Sequence, residues 1–232
     1  MKNLKPFLWS FGIILMIELI VVSNPEWWQS RIFTKPMVVI SLLVFFLMQK
    51  VDKKTKILVT AALLFSLIGD IQLIYAAEYD SLFVGGLSAF LVAHVLYIIQ
   101  FSRTRNKEVG FFAPLLVLLV YAVSIFWYLS DSLNDMAIPV GIYIAVILVM
   151  ILFAYLREDS MTDNNYIYVL SGALLFMLSD SIVGITRFKS DIPFSRILVM
   201  GIYGIAQLLM LIGILKSVTS DIHEAPATSY SS

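Results

Sequence analysis

Three carboxylates stand inside long apolar runs of this 232-residue chain: Glu18, Asp70 and Asp180. An acid at the centre of a membrane helix costs roughly 2.5–3.5 kcal/mol on insertion scales. Each therefore needs a partner or a task. Asp70 is the fourteenth residue of its run and Asp180 the fifteenth of its own. At 1.5 Å per residue, both lie about 20 Å from the same end. Ser66 and Gly69 accompany Asp70, and Ser179 and Ser181 accompany Asp180. Small residues of this kind allow close helix approach and hydrogen bonds. Two carboxyls in one low-dielectric site divide the work: one keeps a proton and can give it, while the other stays ionised. That chemistry suits acid-assisted hydrolysis through an oxocarbenium-like state. It suits a proton relay in a transporter equally well. Glu18, one turn from the end of its run, reads either as an acid snorkelling to the interface or as a third member of the site.

Other polar groups reach the same layer. Tyr143 and Tyr203 fall at similar depth on segments running the opposite way, and Gln207 shares a face with Tyr203. His94 and Tyr97 share a face, with His94 nearer the centre, and Lys35-Pro36 opens the second segment, with proline at a tolerated early position. Together these residues suggest a polar pocket in the outer half, lined by segments two, three, four, six, seven and eight. Rival chemistries fit poorly. There is no Cys, no G-x-S-x-G elbow, no H-E-x-x-H and no Walker loop. The two His, His94 and His223, do not make a multi-histidine metal centre, so no metal and no cofactor is expected. With 16 basic and 16 acidic residues, the net charge is zero and gives no case for nucleic acid.

The elements that must position these groups follow from composition. The chain is 60% hydrophobic and 14% charged, with mean hydropathy +0.91. Ordinary soluble domains are about 25% charged. The reading is an all-α polytopic transmembrane helix bundle, an integral membrane protein of about eight helices. The apolar segments are Phe7–Val22, Thr34–Met48, Ile57–Ala77, Leu82–Phe101, Phe112–Leu129, Met136–Tyr155, Tyr166–Ile185 and Ser195–Val218. Residues 1–218 form one transmembrane domain, and 219–232 read as a disordered polar tail. The first segment has a basic start but no A-x-A site, and reads as a retained helix. Lys2, Lys5, Lys50, Lys53, Lys54, Lys56, Arg103, Arg105, Lys107, Arg157 and Lys216 fall on one side. Arg31, Lys35, Arg187, Lys189 and Arg196 fall on the other. The positive-inside rule then puts both termini in the cytoplasm. Ala62-Leu63-Leu64-Phe65 before Asp70 echoes Ala173-Leu174-Leu175-Phe176 before Asp180. Ala93-His94 answers Ala206-Gln207 in the helices that follow, which suggests a parallel four-plus-four duplication.

Longer motifs point to a family. Phe65-Ser66-Leu67-Ile68-Gly69-Asp70-Ile71-Gln72-Leu73 and Phe90-Leu91-Val92-Ala93-His94-Val95-Leu96-Tyr97 resemble the YhhN-like lysoplasmalogenase family. So do Gly172-Ala173-Leu174-Leu175-Phe176-Met177-Leu178-Ser179-Asp180-Ser181, Arg187-Phe188, Arg196, Tyr203 and Ala206-Gln207. Lys35-Pro36 and Tyr143 also sit where the family carries such residues. The resemblance covers segments two to eight. It implies hydrolysis of the vinyl ether bond of a lysophospholipid, giving a fatty aldehyde and glycerophosphoethanolamine or glycerophosphocholine. Asp70 and Asp180 are then the catalytic acid and base, in an order the residues leave open. Lys35 meets the lipid phosphate in this reading. His94, Tyr143, Tyr203, Gln207 and Arg187 bind or orient substrate and water. The partners are this lipid and the membrane around it, with no expectation for oligomeric state. A lipid or small-solute transporter or sensor, or a hydrolase of a different lipid, is compatible with the same pocket.

Overall fold

The computed structural model describes residues 3–76, 78–157 and 165–224, with side chains to residue 217. Lys2, the loop 158–164 and the tail 225–232 lie outside the described residues. Eight α-helices follow one another: α1 (Leu4–Ser23), α2 (Arg31–Leu47), α3 (Lys53–Ile74), α4 (Asp80–Ser102), α5 (Phe112–Leu133), α6 (Ala137–Tyr155), α7 (Tyr166–Phe188) and α8 (Ser195–Glu224). Short 3-10 turns, Pro25–Ser30 and Asn134–Met136, lead into α2 and α6. Among the described residues there is no strand. Seven helical stretches are long and apolar enough to cross a membrane, one of them the 44-residue Phe112–Tyr155. A straight helix of that length spans about 66 Å, twice a bilayer core. The chain reverses there at Asn134, whose φ is 43°, and α5 packs back along α6.

Two boundaries differ from the sequence expectation. The second segment, whose apolar residues also allow a start near Ile32, is helical from Arg31 and with the preceding 3-10 turn forms a 23-residue span, Pro25–Leu47. Pro36 is consequently the sixth residue of α2 rather than a first-turn proline. It leaves the carbonyl of Ile32 without its helical N–H donor. At the other end, α8 continues to Glu224, beyond the apolar run that ends at Val218.

Glycines set the closest helix contacts. α3 lies tightly on α4, where a Cβ on Gly69 would come within 2.7 Å of the Phe90 ring and 3.2 Å of the Gly86 carbonyl oxygen. α7 lies as tightly on α8, where a Cβ on Gly172 would meet the Ala206 carbonyl oxygen at 2.7 Å. These two pairs occupy equivalent places in the two sets of four helices. The buried core runs through α1, α2, α3, α4, α6, α7 and α8, and includes Leu42, Phe46, Leu63, Phe101, Met150, Phe176 and Met210. Trp9, Phe33, Phe112, Trp127 and Ile138 point outward and exposed, which places apolar surface where lipid would lie.

Glu18 is fully buried and does not snorkel. Arg31 donates to its Oε1 from Nη2 at 2.8 Å and from Nε at 3.0 Å, and Thr34 donates to Oε2. This acid is an α1–α2 tie, because burial of a carboxylate demands a full set of donors. At the opposite end of the bundle, Asp52 caps α3 by accepting from the amides of Lys54 and Thr55 at 3.1 Å. Arg103 joins it at 2.9 Å. Partial burial alone would raise the Asp52 carboxyl, but the hydrogen bonds from Thr55 and Arg103 outweigh it and hold the pKa at about 2. Lys56 donates to the carbonyls of Phe46, Leu47 and Gln49 at 2.6–3.3 Å. It thereby closes the C-terminal end of α2.

Candidate active site

Asp70 and Asp180 head two different polar clusters, separated by aromatic rings. Around Asp70 every hydrogen-bonding partner is buried. Lys35 Nζ lies 3.2 Å from Asp70 Oδ1 and donates to the Asp70 carbonyl at 3.2 Å. Tyr203 donates to Oδ2 at 2.8 Å. Gln207, one turn along α8, donates to the Tyr203 hydroxyl at 3.3 Å and to Ser66 at 3.0 Å, and accepts from Tyr97 at 2.9 Å. The run Lys35–Asp70–Tyr203–Gln207–Tyr97 thus joins α2, α3, α8 and α4, and all five residues are buried. The one-turn spacing of Tyr203 and Gln207 works as read from the sequence. Lys35 does not stand free at the surface for a phosphate. Its chain turns inward, because a buried carboxylate is a stronger claim on an ammonium than water at the rim.

Asp180 sits otherwise. It is half-buried and lines a cleft formed by α3, α4, α5, α6 and α7. Tyr143 donates to its Oδ2 at 2.7 Å. No described residue donates to Oδ1, which is left to whatever enters the cleft. Ser181, the next residue, lies 2.6 Å from the Tyr121 hydroxyl. The rest of the wall is apolar, including Leu87, Phe90, Ile125, Ile144 and Met177. The expected pocket was polar and involved α2 and α8. The observed cleft is apolar and excludes both, since Lys35, Tyr203 and Gln207 are consumed by Asp70.

An aromatic partition connects the two clusters. His94 meets Tyr143 edge-on at 5.4 Å and Phe176 at 4.7 Å, between ring centroids. Phe176 meets Tyr203 at 5.3 Å, and Phe90 meets both Phe176 and Tyr203, at 6.0 and 5.8 Å. Neither ring nitrogen of the buried His94 has a hydrogen-bond partner among the described residues.

Arg187 is not brought to either aspartate. It lies at the end of α7, where it donates to the Asp80 carboxylate and to the Ala76 carbonyl at 3.3 Å, over the Phe83 ring. Arg196 and Arg31 flank the Trp28 ring at 4.7 and 4.6 Å, remote from the cleft. Tyr121 is the cleft residue that sequence reasoning missed. A single tyrosine in an apolar helix carries no signal that separates it from an interface anchor. Among the described residues, no three His, Asp or Glu side chains lie together as a metal site would need.

A carboxyl with one oxygen left open in an apolar cleft is chemically able to give or take a proton. The neighbouring Lys35–Asp70 pair is net neutral and presents a dipole rather than a free charge. Residues 30–214 match the model of the YhhN family. The chain is 27% identical over 216 residues to lysoplasmalogenase TMEM86B of Sus scrofa, covering 93% of this chain and 88% of that one. It is 30% identical over 205 residues to lysoplasmalogenase TMEM86A of Homo sapiens, covering 84% and 81%. A lysoplasmalogenase of Mycobacterium tuberculosis is 29% identical over 157 residues, covering 66% and 58%. No solved structure matches the chain.

Proposed function

The chain belongs to the YhhN family, and from that premise we propose that it is a membrane-embedded hydrolase that cleaves the vinyl ether bond of lysoplasmalogen. The observation that carries the reading is Asp180, a carboxyl held on one oxygen by Tyr143 and open on the other to an apolar cleft. Its apolar lining, with Phe90, Ile144, Ile147 and Leu148, suits contact with a single lipid chain.

Enol ethers hydrolyse by protonation at carbon. Asp180 Oδ1 gives its proton to the vinyl carbon remote from oxygen, and the adjacent carbon becomes an oxocarbenium ion. The new Asp180 carboxylate sits beside that cation and steadies it, with Tyr143 holding Oδ2 in place. Water then adds to the cation and returns a proton to Asp180. The hemiacetal collapses to a fatty aldehyde and the glycerophospho headgroup, glycerophosphoethanolamine or glycerophosphocholine. One water is consumed, and the acid is restored.

Asp70 takes the second role. Paired with Lys35 and bonded by Tyr203 behind the partition, it presents a dipole to the cleft, and Phe90 in the cleft wall offers its ring to a cation. This division makes one acid a proton donor and the other an electrostatic stabiliser. The test is product analysis. Detergent-purified protein is given lysoplasmenyl and ordinary lysophospholipids, and aldehyde and fatty acid are followed separately. Aldehyde from the vinyl ether alone supports the reading. Fatty acid alone identifies a hydrolase of another lipid, and neither product argues for a transporter or sensor on the same cleft.

A further inference from the structure

One end of the cleft is closed by a device that the reaction does not use. Phe83 of α4 and Phe188 of α7 both line the cleft, and their rings meet edge-on at 5.6 Å. Arg187 lies over Phe83, 4.8 Å from its centroid, and pairs with Asp80 at the start of α4. The Asp80 side chain is 94% exposed, so this is a surface ion pair, and such pairs contribute little to stability. A ligand that offers both charges could replace it at small cost.

The spacing along α7 selects the ligand. Arg187 follows Asp180 by seven residues, two turns on nearly the same face, a rise of about 10 Å. In a vinyl ether lysolipid, seven bonds separate the protonated carbon from phosphorus. At about 1.25 Å of advance per bond of ordinary length, that distance is about 9 Å. A substrate with its reactive carbon at Asp180 therefore sets its phosphodiester beside Arg187. A guanidinium meets a phosphodiester through two parallel hydrogen bonds. Asp80, released from Arg187, then faces the end of the headgroup, where ethanolamine or choline carries its positive charge.

We propose that the Arg187–Asp80 pair is the headgroup subsite of the cleft, Arg187 receiving the phosphodiester and Asp80 the ammonium of a zwitterionic lysolipid. The resting ion pair stands in for the headgroup, and substrate exchanges one pair of charges for two. The subsite makes the cleft a ruler: it favours lipids whose phosphate lies one glycerol from the scissile bond. This assignment rests on the lysolipid reading given above, and its test is a binding measurement that does not depend on turnover.

Full-length protein in detergent is titrated with three saturated ethers that cannot be hydrolysed by this chemistry. They are a 1-O-alkyl lysophosphoethanolamine, a 1-O-alkyl lysophosphoglycerol that lacks an ammonium, and a 1-O-alkyl glycerol that lacks phosphate. Arg187→Gln should weaken both phosphate-bearing ethers on the order of tenfold to a hundredfold, the worth of a charge-assisted contact. It should leave the alkyl glycerol unchanged, and Arg187→Lys should restore part of the loss. Asp80→Asn should weaken the ethanolamine ether alone. Equal weakening of all three ethers by Arg187→Gln would show a merely structural role and overturn the proposal, as would no weakening of any. Wild-type protein that bound in this pattern yet released no aldehyde would sink the vinyl ether reaction and leave the subsite standing.

Discussion

Breaking the Lys35–Asp70 pair should destabilise the protein strongly, and breaking both partners together should not. The two charges lie 3.2 Å apart, with 10% and 2% of their side chains exposed. At an effective dielectric of about 20, that separation corresponds to about 5 kcal/mol of attraction. Removing one partner of a buried pair commonly costs about 3–5 kcal/mol, because the other charge stays behind unpaired. Lys35→Met leaves Asp70 with Tyr203 as its one side-chain donor, and Asp70→Asn leaves Lys35 against a carbonyl. For a chain of this size, about 2–4 °C is lost per kcal/mol, so each single variant should melt about 6–20 °C below wild type. The double variant Lys35→Met/Asp70→Asn should recover most of the loss. Thermal unfolding in detergent, followed by tryptophan fluorescence, gives the cycle. Turnover separates the two roles, since the double variant should fold without regaining aldehyde release. Additive single effects, with the double variant the least stable of all, would refute the buried pair and the role given to Asp70.

Three further outcomes follow from the geometry. Tyr143→Phe removes the donor to Asp180 Oδ2 and should slow aldehyde release about tenfold to a hundredfold with little change in melting temperature. Asp52→Ala removes the cap of α3 and should cost about 1 kcal/mol of stability. Because the folded carboxyl is held at about 2, below its ordinary 3.8, its contribution is complete above the ordinary value. The gap in melting temperature between Asp52→Ala and wild type should therefore hold steady above about pH 5 and close as pH falls towards 2. A reporter at the C-terminus that is active only in the cytoplasm should be active, as the distribution of basic residues requires.

Much of this architecture is written in one-dimensional pattern. Apolar runs interrupted by Asp52, Asp80 or Asn134 give the helices, because a bilayer accepts few alternatives to a helix. Helical periodicity sets Tyr203 above Gln207. What the pattern could not carry was partnership. Glu18 meets Arg31 and Thr34 only because the Pro25–Ser30 turn folds α2 back on α1. Lys35 reads as an outer cation until α3 brings a carboxylate beside it. The start of α2 was hidden because Pro25 and Glu26 read as loop, although Trp27 and Trp28 belong to the span. The division between a filled site at Asp70 and an open one at Asp180 depends on Phe90 and Phe176, which look like any core aromatics in sequence.

The central claim is that Asp180 protonates a vinyl carbon. It is tested most directly by incubating purified protein with lysoplasmenylethanolamine in heavy water and analysing the aldehyde. Wild type should release aldehyde carrying one deuterium on the carbon next to the carbonyl, and folded Asp180→Asn should be slower by about 10²–10⁴-fold. Unlabelled aldehyde, or full-rate release from folded Asp180→Asn, would contradict the account.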